Sequence, residues 1–430
     1  MVAVTRWVLG LIAVCLLAVL VLLVGSLERS PVVISEHRVT PDTARLADEV
    51  AARLRRVGSE REIAFSADEA ATLAAISSRL HPGLAAQVNI AHQQMVAAAS
   101  LPLFSGRLYL NVSTLVLPSE HGLSVDHVRV GAIDWPGPVA VKLGEWIGNL
   151  SVRPRGGTEV LSAIEAVRFD RDRMVVAYRP PENLRFSRLL DMRDARQPFG
   201  DPERMRHYYA LLLDHARATS DERLASYLDL AMREAASRST AGRSAVEENE
   251  AALLALAVFL GIHRFELLLG DVRGDLPARP PRLHVKLAGR QGIQLHFTYS
   301  AAITVMSNRV AGLLAGELKE LLDANPGGSG FSFADLMADN AGVRFAEIAT
   351  ASEASARTLH DFVLMHGLAD STLLPDIEGI EEGIGYDAFR ERFDHIDSEA
   401  YREMVASISG ELDAMPLYRL AEPDSSASAD

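Results

Sequence analysis

The chain has 430 residues, 48% apolar and 23% charged, an ordinary globular balance with length for two or three domains. Its net charge of −14 argues against a nucleic-acid partner, because binding phosphates needs a basic surface, and against broad adsorption to anionic lipid. Its single cysteine, Cys15, lies in the N-terminal apolar run, so the body has no disulfide, thiolate nucleophile or Cys-ligated metal.

From Trp7 to Gly25 there is no charge, and these 19 residues approach the ~20 that span a hydrocarbon core as a helix. Arg6 precedes the run, and Glu28 and Arg29 follow it. Residues 1–27 read as an uncleaved transmembrane anchor, single-pass in a bacterial inner membrane, with the body in the periplasm. Lysine appears only at positions 142, 286 and 319, the codon signature of a GC-rich bacterial genome. A cleaved signal peptide is the rival reading, but Val24-Gly25-Ser26 is a poor cleavage site. The residues before Cys15 lack a lipoprotein pattern. The apolar stretch 251–262 is too short to span and reads as a buried core helix.

Residues 28–190 read as an α+β periplasmic domain. Leu46, Val50 and Leu54 have helical spacing. A short strand follows at 62–65. Ser66 and Glu69 form a capping box for a helix over 67–80. Alternation then predicts strands from 87, over 107–117 and over 123–133, the last broken by Trp135-Pro136-Gly137-Pro138. A further pair, 166–169 and 173–178, brackets a turn at Asp170-Arg171-Asp172. One apolar and one polar face imply an antiparallel sheet, covered on one side by the capped helix. Pro180-Pro181 and residues 191–202 suit a linker.

Residues 200–420 read as an α-helical domain. Helices are expected over 203–218, 221–237, 246–262, 294–306, 310–322, 333–350, 354–366, 386–393 and 398–415, with a loop at 271–281. The tail, 421–430, has the composition of a disordered segment. The acidic run from Asp376 to Glu382 reads as a solvated turn.

The stretch from His296 to Gly342 holds the chemistry-bearing residues. Asp335 and Asp339 are four apart and share a helix face, as do Glu320 and Asp323, three apart. Ser332 is a natural N-cap, with Asp335 in the first turn. If these helices pack together, His296 can face the acids and form a site for a divalent cation or for proton transfer. No spacing matches a metal signature such as H-E-x-x-H. A packed helical domain using the same groups as caps therefore explains the pattern too. The glycines at 327, 328 and 330 form no phosphate loop, and Phe331 stands where a nucleophile elbow needs glycine. His81, His92, His121 and His127 lack ligand spacing.

Positions 200–418 resemble a family of membrane-anchored proteobacterial envelope proteins. The likeness rests on Gln294-Leu295-His296-Phe297 with Ser300, on Lys319-Glu320, on the run from Gly327 to Leu336, and on Met415-Pro416-Leu417-Tyr418. The shorter pattern H-F-x-x-S, K-E-x-x-D, F-S-x-x-D-L, over residues 290–345, is similar to that of YfiM-like periplasmic lipoproteins, although this chain lacks their lipobox cysteine. The resemblance implies an address and not a reaction. The expectation is a non-enzymatic binding or scaffolding module without a cofactor, partnered by the inner membrane and another envelope protein. The alternative is a metal-dependent or acid/base hydrolase with a site at His296, Glu320, Asp335 and Asp339. Lipid binding by the sheet domain would need an apolar groove beside Leu108, Leu110 and Val128.

Overall fold

Alternation in the first half of the chain yields antiparallel hairpins, and helical spacing in the second half yields packed helices. The computed structural model describes residues 25–34, 38–55, 62–79, 83–91, 93–151, 156–179, 201–240, 242–260, 269, 272–277, 283–306, 319–320, 323, 325 and 327–421. The chain forms two compact units, Met1–Val39 with Leu46–Phe186, and Thr40–Arg45 with Ser187–Asp430. The apolar run 7–24, the linker at 180–181 and 191–200, most of the expected helix 310–322, and the tail 422–430 lie outside the described residues.

In the first unit, β1 (Leu27–Glu28) precedes α1 (Pro41–Arg55), β2 (Glu62–Ser66) and α2 (Ala67–Ser78). The strands β3 (Ala85–Ala91), β4 (Gln94–Leu103), β5 (Leu108–Leu117), β6 (Ser124–Val130) and β7 (Ile133–Pro136) pair in sequence order, and β1 also pairs with β5. Next come α3 (Gly137–Ser151), α4 (Gly156–Ala163), β8 (Ile164–Asp170) and β9 (Arg173–Tyr178). The capping box holds: Ser66 N–H donates to Glu69 at 2.9 Å and Glu69 N–H to Ser66 Oγ at 3.1 Å.

The structure extends the reading of this unit at three points. The antiparallel sheet expected is present, and β2, β9 and β8 form a second, three-stranded one. The strand expected over 123–133 turns back at Gly131, whose φ is +56°, into β6 and β7. Trp135-Pro136-Gly137-Pro138 breaks the strand, as expected, but leads straight into a helix. It completes β7 and starts α3, with Pro138 in the first turn, where its missing N–H has no partner to lose.

In the second unit, α5 (Pro202–Ala218), α6 (Leu224–Thr240) and α7 (Ala245–Phe259) are followed by α8 (Gln291–Met306), α9 (Phe333–Thr350), α10 (Glu353–His366) and the short α11 (Asp370–Leu373). Then come α12 (Tyr386–Arg392) and α13 (Glu399–Ala414). From Ala251 to its end helix α7 is apolar all round and continuously buried, the core helix expected. Among the described residues no helix is long and apolar enough to cross a membrane. At its foot Glu248 is fully buried, accepting from Tyr208 Oη at 2.7 Å and Arg238 Nε at 2.5 Å. Burial opposes its ionisation, but those donors hold the carboxyl below its ordinary value.

Helices α8 and α9 touch backbone to backbone. A Cβ on Gly342 would lie 2.1 Å from the Phe297 carbonyl oxygen, so only glycine permits this approach. The start of α9 is fixed by a buried aromatic cluster of Phe331, Phe333, Phe389, Phe393 and Tyr401. The acidic run is a solvated turn, as expected, with Asp376, Glu378, Glu381 and Glu382 exposed, and it is tied down at and just beyond its ends. Ile384 exchanges two backbone hydrogen bonds with Phe331, at 2.8 and 2.9 Å. Ile377 and Ile384 are buried, and Glu382 pairs with Arg290.

Candidate metal centre

Two helix faces and one short segment supply the site. On α8, His296 and Ser300 are four apart. On α9, Asp335 and Asp339 are four apart. The Gly342 contact brings these rows together. Ser332 caps α9 by accepting from Asp335 N–H at 3.0 Å, as its sequence position predicts. Phe331 and Phe333, both fully buried, fix its backbone on either side.

Asp339 is the orienting group. Its Oδ2 lies 3.0 Å from His296 Nδ1, and its Oδ1 accepts from Ser300 Oγ at 2.6 Å. A carboxylate at Nδ1 favours the proton there, which leaves Nε2 as the free ring nitrogen of the neutral imidazole. Nε2 lies 3.5 Å from Asp335 Oδ2 and 3.7 Å from Glu320 Oε1. One ligand atom from each of His296, Glu320 and Asp335 falls within 4.8 Å of the others. The second oxygen of Glu320 accepts from Ser332 N–H at 2.9 Å. Glu320 is fully buried, His296 and Asp339 nearly so, while the Asp335 side chain is 20% exposed and opens the cluster toward solvent.

Lys319 supplies the balancing charge, with Nζ 2.8 Å from Glu320 and 2.7 Å from Asp323. Burial pushes the Glu320 carboxyl up to about 7 against the pull of Lys319. Burial works against protonated His296, but its bond to Asp339 and the charges of Asp339 and Asp335 raise it above its ordinary value. Burial likewise opposes charge on Lys319, and Glu320 and Asp323 outweigh it.

This donor set can hold a metal ion: one imidazole with its second nitrogen anchored, and two carboxylates, one of them fixed by a backbone N–H. An imidazole donating to a carboxylate behind it is the common way a metal-binding histidine is oriented. Mixed nitrogen and carboxylate ligands suit Zn²⁺, Mn²⁺ or Fe²⁺. The ammonium beside Glu320 has Asp323 as an alternative partner, so a cation at the carboxylate would not strand it.

All four site residues expected from the sequence converge, but not in equal roles. His296, Glu320 and Asp335 face one another, while Asp339 stands behind the ring. Asp323 holds Lys319 and does not join the three. Ser300 was marked in the sequence as part of the H-F-x-x-S pattern but was given no role there. His121 is exposed and His127 pairs with Asp126 at 2.8 Å, whereas His81 and His92 lie outside the described residues.

The sheet unit has a shallow apolar depression. It lies beside Met95, Ala97, Ala99, Val112 and Met174, not beside Leu108, Leu110 and Val128, where lipid binding was expected to need it. No family model, curated protein or solved structure matches the chain.

Proposed function

We propose that this is a membrane-tethered protein of the bacterial envelope whose helical unit binds one divalent transition-metal ion through His296, Glu320 and Asp335. The observation that carries the reading is the approach of these three ligand atoms to within 4.8 Å of one another, with Asp339 and Ser300 fixing the imidazole behind them. The polar positions of the lipoprotein-like pattern, from His296 to Asp335, are the residues that build this cluster, so the resemblance and the geometry point to one place. Three protein ligands leave coordination positions for water or substrate, and Asp335 opens that side. This favours metal-dependent hydrolysis over an inert scaffold. The anchor at residues 1–27 supplies the address.

The test is metal titration of chelator-stripped full-length protein. One Zn²⁺ or Mn²⁺ should bind per chain, and His296→Ala and Asp335→Ala should each abolish binding while the helical circular dichroism persists. Stoichiometric binding that survives both substitutions, or none by the wild type, sinks the proposal.

A second reading needs no metal. Glu320, pushed up to about 7, is poised where a general acid or base works best. Hydrolysis that withstands chelation but is lost in Glu320→Gln would favour it.

A further inference from the structure

Helix α3 carries an apolar stripe that none of the described residues of its own unit covers. Val139 is 48% exposed, Leu143 43% and Trp146 61%. They stand at i, i+4 and i+7, one row along the helix. Lys142 is exposed on the flank of that row. Tryptophan and aliphatic side chains edged by a lysine are the composition of a helix lying in a membrane interface. The neighbouring helix, α4, is tied to α3 by hydrogen bonds from Asn149 Nδ2 to Thr158 Oγ1 at 2.9 Å and from Thr158 Oγ1 to Glu145 at 2.6 Å. It exposes Val160 as well, at 58%.

The chain's own path indicates what covers the stripe. The apolar run ends at Gly25, and Gly25 is fastened to this unit. Its carbonyl accepts from Ala132 N–H at 2.8 Å, and Leu27 pairs with Leu110 on β5. Ala132 immediately precedes β7, and β7 leads directly into α3. The helix therefore begins one four-residue strand, about 13 Å, from the point where the apolar run joins the sheet. A stable dimer buries ~800 Å² per partner, more than three side chains supply, and two copies carrying −14 each repel.

We propose that the α3 face of Val139, Leu143 and Trp146 docks on the bilayer surface beside the anchor and fixes the orientation of the sheet unit. This rests on the anchor reading for residues 1–27. The attraction is apolar, because a chain of net charge −14 gains nothing from anionic lipid. Docking should therefore occur on zwitterionic lipid and resist salt.

The three tryptophans allow both readings to be tested in the full chain. A Trp146-only protein (Trp7→Phe, Trp135→Phe) and a Trp7-only protein (Trp135→Phe, Trp146→Phe) are reconstituted into phosphatidylcholine vesicles with brominated acyl chains. Trp7 quenching reports the anchor, and Trp146 quenching reports the docked face. The expected result is loss of most Trp146 emission, restored by Val139→Asp with Leu143→Asp, which alter exposed positions and leave the fold intact. The docking is overturned if Trp7 is quenched while Trp146 emits as a water-exposed indole open to iodide. It is also overturned if the double aspartate variant stays quenched, or if Trp146 is shielded from both reagents in a cross-linkable dimer. An unquenched Trp7 overturns the anchor reading on which the docking rests.

Discussion

Asp339 touches no ligand atom of the cluster other than the His296 ring, yet the metal reading makes it decisive. With its carboxylate at Nδ1, the imidazole presents Nε2 to Glu320 and Asp335. An amide at this position can offer its nitrogen to Nδ1 and move the ring proton to Nε2. Asp339→Asn should therefore weaken Zn²⁺ or Mn²⁺ binding by ~10–100-fold, the usual loss when an outer partner of a metal-bound histidine is removed. Titration of the stripped protein reads this directly, and an unchanged affinity would mean that Asp339 does not orient the ring. Ser300→Ala removes one donor to the same carboxylate, and a smaller loss in the same direction is expected. His296 and the acids were legible in the sequence because imidazole beside carboxylates is rare chemistry wherever it occurs. The division of labour was not. Whether Asp339 faces the metal or the ring depends on how α8 rotates against α9, and that rotation is set by packing at Gly342 and Phe297, 45 residues apart in the chain.

At the scale of elements, helices were read well and the sheet less well, for physical reasons. A period of 3.6 repeats over many residues, and caps such as Ser332 mark the start. Strand β4 runs through Ala97-Ala98-Ala99, which lacks both alternation and β-propensity. Its partners on either side make it a strand. Helix α3 was hidden by Pro136-Gly137-Pro138, a turn signature that here serves as a helix start. Long-range pairing decided these cases, and no local window contains it. The contact between α8 and α9 gives the sharpest prediction at this scale. Gly342→Ala puts a methyl 2.1 Å from the Phe297 carbonyl oxygen, and backbone on one side and a helix on the other leave it nowhere to go. The helices must separate, at a cost of roughly 1–3 kcal/mol for overpacking, and metal binding should fall with stability because the same separation draws His296 from Asp335. Thermal unfolding and titration of one variant test both. A stable Gly342→Ala protein that binds as the wild type does would show that the pairing does not hold the site. Ser332→Ala should cost ~1 kcal/mol as a lost N-cap and leave the aromatic anchoring of Phe331 and Phe333 in place.

For the whole molecule, burial of Glu320 couples folding to pH. Its carboxyl rises from an ordinary 4.5 to about 7 in the folded chain. Between those values the native state keeps a proton that the unfolded chain has released. Stability therefore falls as pH rises across this window: the contribution is complete below 4.5 and gone above about 7. His296 acts in the same sense. Its folded value lies above 6.5, so its contribution is full below 6.5 and lost as pH rises through the folded value. Carboxyls held low, such as Glu248 and Asp221, place their slopes in more acid solution, whereas Glu250 and Asp370, raised by burial, add slopes of the same sign as Glu320, and His360, lowered by burial, adds one of the opposite sign. In chelator, the melting temperature should drop across it by an amount corresponding to on the order of 1–3 kcal/mol. Glu320→Gln, permanently neutral, should remove the Glu320 share and leave a measurably shallower slope. A bound divalent ion reverses it, because the ion requires Glu320 ionised and His296 neutral, so saturating Zn²⁺ should stabilise more as pH rises and release protons on binding. A wild-type melting temperature flat across the window in chelator would mean that the cluster is ionised and solvated like a surface group. A slope undiminished in Glu320→Gln would place its origin elsewhere in the chain.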